Sequence, residues 1–175
     1  VTGAVGGTTP LTSLTVTNAS QVDLSNVSTT GAQSVTGTNI DLNGTAYSSN
    51  DGDVTFTGAV DLDAGGAISV DSDANNDATD GNIAFTSTVD GGQSLTLDAD
   101  TGTVTVTGAV GGTTPLTSLT VTNASQVDLA NVSTTGAQSV TGTNIDLNGT
   151  AYSSNNGDVT FTGAVDLDAA GAITV

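Results

Sequence analysis

The chain has 175 residues and a formal net charge of −18, carried entirely by aspartate: it contains no Lys, Arg, His, Cys, Met, Trp or Glu. A chain without cations cannot neutralise phosphates, which excludes nucleic acid as a partner, and its field opposes anionic lipid. Without His, Cys, Lys or Arg it builds no Ser-His or Cys-His nucleophile system, no thiolate metal site and no disulfide, and no apolar run is long enough for membrane insertion.

Residues 1–70 recur at 106–175 with 66 of 70 positions identical, an offset of 105 residues. The four changes are Ser25/Ala130, Asp51/Asn156, Gly65/Ala170 and Ser69/Thr174. The chain reads as a slice of a longer array. Residues 1–105 form a first full repeat of about four coils, 106–175 a second, truncated repeat, and the whole one continuous solenoid.

Along the chain the dominant pattern is alternation with period 2, the signature of strands with one buried face. One strand type occurs at 22–24, 54–60, 83–89 and 104–110; in the last three, positions 1, 3 and 7 are apolar and position 5 is Gly or Ser. Val27 is out of phase with Val22 and Leu24, which suggests a bulge or bend. A second type lies between them, beginning at Leu14, Val35, Ile68 and Leu95. Spacing from the first type to the second is 13 to 16 residues, while the return varies from 7 to 18. One repeat is therefore four coils of at least two strands each; Ile40-Asp-Leu42 suggests a third strand, and a division into five coils averaging 21 residues stays open. Turn signals such as Asn43-Gly44, Asp51-Gly52 and Asp80-Gly81 separate the strands.

The fold class expected is all-β, a parallel β-solenoid, right-handed by the crossover rule. Antiparallel β-sandwich repeats are the alternative, because Asn-Gly and Asp-Gly also make hairpins. Recurrence at coil length and tandem near-identity favour stacking. The interior should hold Val54, Phe56, Val60, Ile68, Val70, Ile83, Phe85, Val89, Leu95, Leu97, Val104, Val106 and Val110.

The strings GDVTFTGAVDLDAGGAISVDS (52–72) and GGQSLTLDADTGTVTVTGAV (91–110) resemble the repeat regions of filamentous-haemagglutinin-like and β-strand-repeat bacterial exoproteins, the giant adhesins. The resemblance implies a secreted, right-handed β-helical stalk or fibre at the bacterial cell surface.

Paired aspartates could serve glycoside hydrolysis, but the aromatic and cationic side chains that hold a sugar are missing, so an enzyme is not expected. Asp-x-Asp recurs at 51/53, 61/63, 71/73, 98/100 and 166/168. On a strand each pair shares a face, and stacked coils would crowd these carboxylates unless a cation screens them. Calcium suits such all-oxygen sites. The candidate metal ligands are Asp71, Asp73, Asp77 and Asp80. Asn76 and Asn82 stand where an EF-hand loop needs Gly and an acid, so that motif is not supported. A solvated acidic turn is the plainer reading.

Thr-x-Thr steps at 15/17, 55/57 and 103/105/107 resemble an ice-binding ladder, though plain strand propensity explains them. Asn-x-Ser/Thr sequons at Asn18, Asn26 and Asn43 recur at Asn123, Asn131 and Asn148, and such Asn residues could ladder inside turns. The expectation is a structural, non-catalytic repeat of an extracellular bacterial fibre, stalk or adhesin. Its partners would be further copies of itself, stacked end to end or joined covalently. The alternative is a calcium-dependent adhesive module binding glycan or ice through its outer face.

Overall fold

A computed structural model describes every residue except Ala78. It contains sixteen strands and, among the described residues, no helix. Every named strand pairing is parallel, and the strands stack into a β-solenoid of about seven turns.

Each coil has three sides. The first side stacks residues 14–16, 33–35, 54–56, 83–85, 104–106, 127–129 and 145–147. The second stacks 22–24, 40–42, 60–62 and 89–90, then passes through Val110 to 132–134 and 152–154. The third stacks 27–29, 47–49, 69–71, 96–98, 119–121, 138–140 and 159–161. At ~4.8 Å per coil the seven coils make a rod roughly 34 Å long.

The coil, expected to have at least two strands with a third at 40–42, is three-sided throughout. Residues 40–42 are the second side of their coil, joined to the first side within the single strand Gln33–Leu42. Of the bulge or bend expected at Val27, the structure has the bend: Val27 begins a third side after the corner at 25–26, and is buried. The bulges lie elsewhere, between Val16 and Ala19, Thr36 and Asn39, and Thr141 and Asn144, where a long strand bends around a corner. Asn18 takes a left-handed φ of 54° at the first of these, a conformation Asn tolerates. In the next coils Gly37 and Gly58 sit at this corner; Gly58 has φ 131° and packs against the Gly37 carbonyl, leaving no room for a Cβ.

All thirteen apolar residues expected inside are buried. Phe56 stacks on Phe85 with ring centroids 5.1 Å apart, and Tyr47 meets Phe56 edge-on at 6.0 Å. The alternation also buries two polar devices. The Tyr47 hydroxyl donates to the Leu24 carbonyl (2.8 Å) and accepts from the Gly44 N–H (3.0 Å); burial pushes its pKa up to about 12. Gln33 Nε2 donates to the Ser48 carbonyl (2.7 Å) and the Thr29 hydroxyl (3.2 Å), tying two corners together inside the rod. Tyr152 and Gln138 repeat both arrangements in the second copy.

The two copies supply an internal control on stacking. The same nine residues, VTFTGAVDL, form Val54–Leu62 between two coils and Val159–Leu167 on the last one. Val60 and Leu62 are 1% and 2% exposed, whereas Val165 and Leu167 are 40% and 65% exposed. Burial of an apolar side chain is worth about 1.5–3 kcal/mol, so a coil derives its stability from the neighbours above and below it.

Tyr47→Phe should destabilise the rod by about 0.5–1.5 kcal/mol, because it removes the hydroxyl's two hydrogen bonds while the Gly44 N–H keeps its bond to the Leu24 carbonyl (3.1 Å). Urea unfolding followed by circular dichroism checks this; an unchanged midpoint would contradict it.

Candidate functional site: carboxylate stacks in a chain without cations

Parallel, in-register stacking sets each residue against the same phase of the next coil, and alternation points every second residue outward. The aspartates that follow an inward Val or Ile at the end of these strands therefore fall into ladders. Asp23, Asp41, Asp61 and Asp90 pair in succession on the second side. Asp128, Asp146 and Asp166 pair on the first.

Side-chain amides take the place of cations along these ladders. Gln21 Nε2 bridges Asp23 Oδ1 (3.3 Å) and Asp41 Oδ2 (2.6 Å), and Asn39 Nδ2 donates to Asp41 Oδ1 (2.8 Å). Gln126 Nε2 reaches Asp128 Oδ1 (3.2 Å), while Asp146 Oδ1 is enclosed with no hydrogen-bond partner among the described residues. The carboxyl of Asp41 is raised above its usual range, first by desolvation, then by the charges of Asp63, Asp23 and Asp61. Asp146 is raised likewise, by desolvation and then by Asp128, Asp168 and Asp166.

A second constellation forms at the corner of 71–82. Strand Ile68–Asp71 pairs with Ser94–Asp98 so that Asp71 lies against Asp98. The two segments leaving these strands, Ser72-Asp73 and Ala99-Asp100, then run side by side. Carboxylate oxygens of Asp73, Asp80 and Asp100 all lie within 4.8 Å of one another. A polar cavity of about 160 Å³ beside them is lined by Asp71, Asp73, Asn76, Asp98, Asp100 and Asn123.

Local hydrogen bonds hold the acids in place. Asp71 Oδ1 accepts from the Asp73 N–H (3.0 Å), and Asp73 Oδ1 from the Asp77 N–H (3.3 Å). Asp80 Oδ2 accepts from the N–H (3.1 Å) and hydroxyl of Thr101, but Asp80 Oδ1 is enclosed with no partner among the described residues. Asn123 Nδ2 donates to Asp100 Oδ1, and Asp100 itself is left-handed at φ 41°. Asp73 is 6% exposed; desolvation raises its carboxyl, Asp80, Asp100 and Asp71 raise it further, and the Asp77 N–H opposes them. Desolvation and Asp98 raise Asp71, against the Asp73 N–H.

Of the four residues marked from sequence, Asp73 and Asp80 join this cluster and Asp71 lines the adjoining cavity. Asp77 is exposed and turned to its own loop, accepting from the Thr79 N–H (2.8 Å) and Asn75 Nδ2 (2.8 Å). Asp100 was missed as a member. The signal was available: ISVDSD (68–73) and LTLDAD (95–100) share one pattern, so stacking sets Asp73 over Asp100. The third strand of that stack, Ser118–Asn123, sets Asn123 against Asp98.

The other motifs find structural roles. Asn26 Oδ1 accepts from the N–H groups of Thr45 (2.7 Å) and Ala46 (3.3 Å) across a corner, and Asn131 does the same for Thr150 and Ala151. The threonine ladder is interrupted: Thr15, Ser34, Thr55, Ala84 and Thr105 stack in order and then meet Asp128. A scan against protein-family models, curated proteins and solved structures finds no match to the chain.

The raised carboxyls give stability a definite pH dependence. The folded rod holds these protons more readily than the unfolded chain, so their repulsion is absent below the ordinary value of 3.8 and complete above the raised folded values. Between the two, stability falls as pH rises. The melting temperature should therefore climb on acidification from pH 7 towards pH 4, and Asp146→Asn should raise it at pH 7. A flat profile, or a lower melting temperature for Asp146→Asn, would count against the ladder account.

Proposed function

We propose that this chain is a non-catalytic structural repeat of an extracellular bacterial fibre, stalk or adhesin, whose work is length and stiffness. One observation carries the reading: parallel pairing continues across the junction between repeats, with Val104 against Val127, Leu95 against Leu119 and Val89 against Val110. Within each copy the same contacts recur: Val5 bridges Val27 and Leu11 bridges Thr29 in the first, and Val110 bridges Val132 and Leu116 bridges Thr134 in the second. Ala46 pairs with Ser69 as Ala151 pairs with Thr174. A repeat that carries the same parallel stack through its junction can be added in line, which is what a rod-building repeat requires.

Composition supports the same reading. With no Lys or Arg the chain offers trypsin-like proteases no site, and with no Cys or Met it has few oxidisable side chains. Its partners are further copies of itself, by covalent continuation or end-to-end stacking. The resemblance of 52–72 and 91–110 to filamentous-haemagglutinin-like repeats points to the cell surface. Electron microscopy of arrays with increasing repeat number tests the proposal. Uniform rods lengthening by roughly 22 Å per repeat are expected; globules, or length independent of repeat number, would overturn it.

A second reading, a calcium-dependent adhesive module binding surface glycans, is favoured by the grouping of Asp73, Asp80 and Asp100, with Asp80 Oδ1 enclosed and without a partner among the described residues. Those three, with Asp71 and the side-chain oxygens of Asn76 and Asn123 nearby, are the oxygen donors that would hold the ion; bound there, it would screen the repulsion that raises Asp73. Millimolar calcium should raise the melting temperature above that in EDTA. Asp73→Asn should abolish the increment and Asp77→Asn should keep it. Identical melting in calcium and EDTA would end this reading.

A further inference from the structure

We infer that the 105-residue repeat is a screw element that shows the same outer surface on three sides of the rod in turn. The inference deepens the rod reading and rests on it. Leu14 opens the first side of its coil, and its copy Leu119 lies on a third side. Val22 is on the second side and its copy Val127 on the first. Val27 is on the third side and its copy Val132 on the second. Every equivalent pair is displaced by the same amount, fourteen sides, or four and two-thirds coils.

Fourteen is not a multiple of three, so a repeat cannot stack directly above its own copy. The carboxylate ladder moves accordingly, from the second side (Asp23, Asp41, Asp61) to the first (Asp128, Asp146, Asp166). On the first side it takes over where the run of Thr15, Ser34, Thr55 and Thr105 stops. A third copy would occupy the remaining side, and a fourth would restore the azimuth of the first. Each copy climbs ~22 Å and three copies ~67 Å.

This geometry defines the kind of partner the outer surface fits. No side carries one chemistry for longer than about four or five coils, roughly 19–24 Å. A partner that reads the repeat must therefore be compact, with a footprint of one side by one repeat, and it meets the array at three azimuths, once per repeat. An extended flat lattice such as ice has no continuous matching face.

The chain has no cysteine, so paired spin labels report the geometry directly. Thr57 and Thr162 are sequence equivalents, both exposed. Asn148, also exposed, follows the same side as Thr57 four coils further on. The Thr57→Cys/Asn148→Cys pair should lie at roughly 19 Å, four coil spacings. Thr57→Cys/Thr162→Cys should be longer, roughly 28 Å, because an offset across the rod of roughly 15–20 Å adds to the axial climb. A second equivalent pair, Thr38→Cys/Thr143→Cys, replaces the first if either variant fails to fold, as judged by far-ultraviolet circular dichroism. Distances for equivalent pairs that match the same-side pair would overturn the screw, while rods of the expected length in micrographs would leave the rod reading standing.

Discussion

Everything in this molecule depends on parallel strands stacking in register. Once coil lies on coil with a constant phase, each inward position meets an inward position and each outward position meets its like. The apolar residues merge into one column, in which Phe56 stacks on Phe85 and Tyr47 meets Phe56 edge-on. The same rule forces Asp23, Asp41 and Asp61 into a line, with no cation anywhere in the chain to separate them. Stability and repulsion thus have a common origin, and the energy that favours stacking must exceed the electrostatic cost of the ladders.

The molecule limits that cost with neutral donors. Gln21 and Asn39 sit one strand step before Asp23 and Asp41 and turn their amide N–H groups onto the carboxylates. Backbone N–H groups do the same where the chain leaves a strand, as at Asp71 and Asp73. These contacts stabilise the charged form without adding positive charge, so the rod stays strongly acidic. The non-integral turn of the repeat adds a second relief, because successive ladders lie on different sides.

Much of the fold was legible because alternation is a local signal. Val54, Phe56 and Val60 declare a strand with one buried face whatever lies around them, and the thirteen interior positions read from that pattern are buried. The number of sides per coil was not legible. A corner needs only small or polar residues and a few local hydrogen bonds, and the same words, QVDL and LTVTN, occupy different sides in the two copies. Spacing alone therefore aligned Val22 with Val54, although Val22 shares its side with Ile40 and Val60 while Val54 lies on the first. The acidic cluster was half legible for a related reason: Asp73 and Asp80 share a loop, but Asp100 joins them only across a coil boundary.

The sequence by itself determined the all-β class, the inward face of the thirteen alternating apolar positions, the repeat length and the absence of any cation, because these are properties of composition and of period-2 backbone geometry. Only the tertiary structure decided that a coil has three sides, that 105 residues span four and two-thirds turns, and which aspartates become neighbours. The physical reason is that register between coils is a long-range property: it is set where distant strands exchange hydrogen bonds, and residues adjacent in that stack stand about twenty or more positions apart in the chain.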